Sequence, residues 1–262
     1  MLHGFWVHRQ LIKSLTQREI QGRYKGSFIG IFWSLLIPIF MLTVYTFVFS
    51  VVFKARWTSG TESTTEYALL LFAGLMVFNL LSDCLSKAPT LILNNVNFVK
   101  KVIFPLEILP WINFLTALFH FCIGLSVWLI AYALLIATPH WTVFWAPAVA
   151  MPLALFIMGL SWALSALGVY VRDISQFIGI TLTVMMFVSP IFYPLTALPE
   201  KYRFFLQINP LSPIIEMMRD ALYFGHPPTI TTWVILMAGS FLIAWGGFAM
   251  FQKTRKGFSD VL

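Results

Sequence analysis

The chain has 262 residues, of which 59% are hydrophobic, 17% aromatic and only 10% charged. A soluble domain averages about 25% charged residues, so this composition excludes a water-soluble fold for most of the chain. The formal net charge of +7 keeps nucleic acid in view as a partner until the basic residues are placed along the sequence.

Five stretches contain no Asp, Glu, Lys or Arg: 26–53, 67–82, 108–171, 174–199 and 221–252. A bilayer core about 30 Å thick takes roughly 20 apolar residues as helix, and a charge at its centre costs at least ~2.5 kcal/mol. The longest stretch holds two crossings split by Thr138-Pro139-His140. The sequence therefore predicts an all-α integral membrane protein with six spans in a single domain over residues 1–262.

Residues 1–25 mix Phe5, Trp6, Leu11, Ile12 and Leu15 with Arg9, Lys13 and Arg18. That mixture suits a helix in the membrane interface, or one packed against the spans. Span 1 covers about 29–53 and follows Arg23 and Lys25, cations placed to snorkel to headgroups or to attract a phosphate. Within it Trp33, Phe40 and Phe47 recur every seven residues, while Tyr45 and Phe49 form a second stripe at i, i+4. Residues 54–66 read as a loop.

Span 2, about 67–85, is the weakest because it includes Asn79, Ser82 and Asp83. The segment 86–107 then holds Asn94–Lys101, in which Val96, Asn97, Phe98, Lys100 and Lys101 form a compact apolar-basic surface. A solvated loop gains nothing from Val96 and Phe98, so the sequence predicts a docked helix here. Spans 3 and 4 cover about 109–136 and 143–169, with Arg172-Asp173 as a tight turn. Span 5, about 175–194, is interrupted by Pro190 and Pro194, which remove backbone donors.

Phe187, Phe192 and Tyr193 flank that interruption. Together with Tyr45 and Phe49 they are candidate channel aromatics, since rings give a sliding ligand weak, repeated contacts. The loop 195–229 predicts two short amphipathic helices that dip back toward the membrane, separated by Asn209-Pro210. Phe204 and Phe205 lie on the first, Ile215 and Met218 on the second, with Ser212 as its N-cap and Pro213 at its first position. Span 6 covers about 231–251 and precedes Lys253, Arg255 and Lys256.

With both termini inside, twelve basic residues fall on inner segments (Arg9, Lys13, Arg18, Arg23, Lys25, Lys87, Lys100, Lys101, Arg172, Lys253, Arg255, Lys256). Five fall outside: Lys54, Arg56, Lys201, Arg203 and Arg219. This is the positive-inside pattern, so the excess charge reads as topology and lipid attraction rather than a nucleic-acid footprint. Cys84 and Cys122 both read as buried thiols, and His120 as a hydrogen-bonded packing histidine. The sequence contains no phosphate-cradling G-x-x-x-x-G-K-[ST] loop, no H-E-x-x-H and no paired carboxylates. It predicts no catalytic residue, metal site or cofactor of its own, so any transport would draw its energy from another subunit.

Several segments, in this order, resemble the permease subunit of ABC-type polysaccharide exporters, the family that moves O-antigen, capsule and teichoic-acid chains. They are Arg23-Tyr24-Lys25-Gly26-Ser27 running into Gly30–Pro38, Asn97–Pro110, Tyr170–Ile174, Ser189-Pro190-Ile191-Phe192-Tyr193-Pro194, Asn209-Pro210-Leu211 and the tail Gly257–Leu262. Leu106 stands where many relatives carry Arg. The resemblance implies a homodimer in the bacterial inner membrane, bound to two ATPase subunits that hold ATP and Mg. It also implies that 94–101 is a coupling helix and that 198–223 form an external gate. The cargo would be a polysaccharide on an undecaprenyl-type lipid, attracted at Arg23 and Lys25. The alternatives are a permease of this class for a small hydrophobic molecule and a membrane enzyme acting on lipid-linked sugars.

Overall fold

The computed structural model describes residues 2–52, 57, 64–99, 104–195, 199, 201, 206 and 209–262. The helices are α1 Leu2–Val7, α2 Arg9–Arg23, α3 Trp33–Tyr45, α4 Thr64–Lys87, α5 Val96–Val99 and α6 Leu109–Leu135. They continue with α7 Ala146–Tyr170, α8 Ile174–Val188, α9 Leu211–Arg219, α10 Ile230–Thr254 and α11 Phe258–Val261. A π-helical stretch, Thr46–Val52, prolongs α3. No strand occurs among the described residues.

Among the described residues five helical stretches are long and apolar enough to cross a bilayer: Gly30–Phe49, Thr65–Thr90, Leu106–Leu135, Trp141–Tyr170 and Ile230–Gly257. The fifth expected span differs. α8 has 15 residues, about 22 Å of helix, and stops at Val188. Pro190 disfavours helical geometry at the residue before it, and Ser189 is extended at ψ 149°. The apolar run 189–195 therefore continues the sequence pattern but not the helix.

The core is built around α4, whose apolar window is 83% buried against 11% for the first span. Inside a bilayer there is little hydrophobic force between helices, so close packing and interhelical hydrogen bonds must hold them. Both are present. The Trp128 indole donates to the Leu69 carbonyl (2.8 Å), Asn113 to Cys84 (2.9 Å) and Trp233 to Ala148 (2.8 Å). The buried face of α10 is Ser240, Ala244, Gly247 and Phe251, mostly small residues at helical spacing.

That face meets α7 backbone to backbone. A Cβ on Gly247 would stand 2.0 Å from the Gly159 carbonyl oxygen, whereas one on Gly246 meets nothing within 4 Å. Overpacking typically costs ~1–3 kcal/mol. Gly247→Ala is expected to lower the melting temperature of the detergent-purified chain by about 5 °C. Gly246→Ala should leave it unchanged, and equal behaviour of the two would refute this packing.

α2 is packed on the spans: Ile12 is buried, and the preceding Phe5 ring lies 4.8 Å from Trp111 on α6. Trp6 and Leu11 stay exposed. Of the two cysteines Cys84 is buried, but Cys122 lies on the exposed surface of α6, because the helix turns that position away from α4. Ser212 is not the N-cap of α9. The helix begins two residues earlier, at Leu211, and the Asn209 carboxamide oxygen accepts from Leu211 N (3.0 Å) while Ser212 is buried. Phe204 and Phe205, on the first of the two expected loop helices, lie outside the described residues.

Candidate functional site

The two local aromatic patterns meet. Phe49 sits 6.5 Å from Tyr45, 5.4 Å from Tyr67 in a stacked pair, and 6.3 Å from Phe192. Phe187 stacks on Phe192 at 5.9 Å, and the Tyr193 hydroxyl donates to the Phe187 carbonyl (2.8 Å). One cluster thus joins α3, the start of α4 and the interrupted end of α8. The other stripe faces away from the bundle, with Trp33, Phe40 and Phe47 all exposed.

The interruption after α8 leaves carbonyls without helical partners, and in a low-dielectric setting each must find a donor. Arg219, at the end of α9, supplies three. Its Nη1 donates to Pro190 O (2.6 Å), Nη2 to Ile191 O (2.8 Å) and Nε to Leu70 O of α4 (2.9 Å). The guanidinium also lies 4.2 Å from the centre of the Trp57 ring, and it is 3% exposed. Tyr67 donates to Phe192 O, and Asn209 to Ser189 Oγ (2.8 Å).

Gly74 makes room for this arrangement, since a Cβ there would stand 2.7 Å from Arg219 Nη2. Burial pushes the Glu216 carboxyl above its ordinary range, against the opposing pull of Arg219. Ile215 and Met218, expected at the gate, are fully buried here, so α9 folds inward onto the bundle.

At the other end of α3, a cavity of about 380 Å³ opens between α3, α4 and α6. Arg23 lines it together with Tyr24, Asn79, Asp83 and His120, and Tyr45 closes the far end. Lys25 is exposed and does not line it. Burial raises the Tyr24 phenol above its ordinary range; Arg23 pulls it back and Asp83 adds to the rise. His120 is not the hydrogen-bonded histidine expected. Its Nε2 is buried without a partner, and the ring lies edge-on to Tyr24 at 6.1 Å and Phe119 at 5.4 Å.

The expected coupling segment forms a 3-10 turn, Leu93–Asn95, followed by the single-turn α5. Phe98 stacks on Phe104 (4.2 Å, 7° between planes), so part of its apolar surface is covered within the chain. Val96 is half-buried and Asn97 exposed, while Lys100 and Lys101 lie outside the described residues. A second cavity, about 370 Å³, lies behind this segment, with Arg18, Glu19, Lys87 and Asn94 on its walls.

Arg219, Tyr67 and Trp57 were not singled out from the sequence. The available signal for Arg219 was a lone cation at the end of an otherwise apolar helix rich in Ile and Met.

Comparison with known proteins adds an independent line. The family model described as ABC-2 type transporter matches residues 10–223. The chain is 27% identical to an O-antigen export system permease protein, RfbA, of Myxococcus xanthus, over 99% of this chain and 98% of that one. It is 26% identical to an RfbA of Klebsiella pneumoniae over 96% and 95%. It is 22% identical to the polysialic acid transport protein KpsM of Escherichia coli over 85% of each. A family match over most of the length and an all-helical bundle with several apolar spans agree: the chain belongs to the ABC-2 type transporter family.

Proposed function

We propose that this chain is the membrane subunit of an ATP-driven exporter that moves a lipid-linked, O-antigen-like polysaccharide across the bacterial inner membrane. The observation that carries the cargo is the end-to-end similarity to O-antigen export permeases. A separate ATPase supplies the energy. A bundle of this size barely encloses a polymer, so two copies related by a two-fold axis would form the path between them, with two ATPase copies beneath. The first span, which has most of its surface unpartnered, is available for that contact.

In this reading α8 and the segment after it complete a sixth crossing, both termini are cytoplasmic, and 195–229 faces outside with α9 as part of the exit gate. Lys25 and Arg23 supply positive charge where the lipid's pyrophosphate arrives. Deleting the chain should leave lipid-linked polymer inside the cell, and its ATPase partner should copurify with it. Normal surface polymer after deletion would reject the function.

The aromatic cluster forms the sliding surface of the path. Tyr45→Ala with Phe49→Ala should reduce export of long chains several-fold at unchanged protein level, as expected when two ring contacts are lost. The same replacements at the outward-facing Phe40 and Phe47 should leave chain length unaffected. If the two pairs act alike in a surface-polymer gel, the cluster is packing only.

A further inference from the structure

We propose that the groove between α3, α4 and α6 holds a resident phospholipid with a phosphoethanolamine headgroup, its phosphate on Arg23 and its ammonium on Asp83. The groove has the form of an amphiphile. Arg23, Asp83 and His120 stand at one end with Asn79 beside them, and the walls from there to Tyr45 are mostly apolar, including Ile37, Met41 and Met76. Its volume of about 380 Å³ takes a headgroup and the first part of the acyl chains, the rest of which would leave through the open side of the groove.

The two charges carry the argument. Arg23 and Asp83 line one cavity and act on the same Tyr24 hydroxyl, yet they close no ion pair with each other. Neither makes a side-chain hydrogen bond among the described residues. Opposite charges held apart at the rim of an apolar groove complement a zwitterion, whose phosphate accepts from a guanidinium and whose primary ammonium donates to a carboxylate. His120, with its buried unpaired Nε2, adds a polar group on the same wall.

A dianionic diphosphate fits less well, because it would meet the Asp83 carboxylate and offer it no donor. An anionic glycerol headgroup offers Asp83 only neutral hydroxyl donors and brings no positive charge to meet it. Lys87, the next cation along α4, lines the separate cavity behind the coupling segment. The inference goes beyond the exporter reading and holds whichever cargo is moved. With Arg23 held by the resident lipid, the charge that meets the cargo's phosphates falls to Lys25, outside the groove.

The test is native mass spectrometry of the full-length chain in detergent, after exposure to an equimolar mixture of dioleoyl phosphatidylethanolamine, dioleoyl phosphatidylglycerol and undecaprenyl diphosphate. The ethanolamine lipid should be retained about tenfold over the glycerol lipid, the ratio expected for one charge-assisted contact. Asp83→Asn should bring that ratio close to one. Arg23→Gln should lower retention of both lipids, and Lys25→Gln should change neither.

Met41→Trp fills the apolar part without touching either charge and should remove both lipids. Should Asp83→Asn yield no folded protein, the competition on the unaltered chain still decides. Equal retention of the two phospholipids overturns the proposal. So does displacement of the ethanolamine lipid by undecaprenyl diphosphate, which would make the groove part of the cargo's route and leave the exporter reading standing.

Discussion

Arg219→Met is expected to lower the melting temperature of the detergent-purified chain by about 10 °C. The substitution keeps much of the side-chain volume and removes every donor. Two carbonyls, of Pro190 and Ile191, lose their partners at once, and Leu70 O, inside α4, loses its second donor. A buried polar group left unsatisfied costs ~1–3 kcal/mol. Removing a buried cation recovers part of its desolvation cost, so a net loss of about 3 kcal/mol is expected. That corresponds to the shift above for a chain of this size.

Arg219→Lys should fall between, because an ammonium is a point charge and cannot fork to three acceptors. The loss should be localised as well as global. A single cysteine at Tyr193 should react faster with a thiol reagent in the Met variant, since the segment after α8 is then released from α9 and held to α4 only through Tyr67. An unchanged melting temperature together with an unchanged labelling rate would mean that Arg219 does not hold this junction.

The second large effect is expected at Val96. Under the coupling role proposed for residues 94–101, Val96→Glu should abolish export and reduce copurified ATPase more than tenfold, the scale of an interface hot spot. Membrane level should be unaffected, because Val96 is only half-buried and no hydrogen bond holds its side chain. Phe98→Glu is a less clean test, since it also removes the stack on Phe104. Asn97→Gln, an exposed polar exchange, should be silent. Full ATPase recovery with Val96→Glu would return the segment to an ordinary basic loop.

What the sequence displayed was local. The stripe of Tyr45 and Phe49 and the aromatics around Pro190 were readable because helical spacing and proline chemistry act within a few residues, and the fold then brings the two groups together. Contacts made across the chain were hidden. Arg219 reads as the charged end of a short amphipathic helix. Its burial depends on the bare backbone at Gly74 and on a carbonyl 149 positions away. The start of α9 was missed by two residues because Asn209 and Ser212 are both good capping types, and Pro210 favours the turn that Asn209 closes. The interruption of span 5 was legible in Pro190 and Pro194, while counting apolar residues carried the span on to 194, past the last helical residue, Val188.

The central place of α4 has a consequence for how the molecule is made. It is the second long helix in the chain, yet the groups that cover it come later: α6, α7, the carbonyls after α8, and Arg219 from α9. A ribosome adding about 5–20 residues per second needs several seconds or more to pass from residue 87 to residue 219. Throughout that interval the end of α4 that carries Leu70 and Gly74 stands without its final neighbour. Chains stalled or truncated before α9 would leave the carbonyls of Pro190 and Ile191 without their donors, so the junction after α8 closes only once synthesis has passed Arg219.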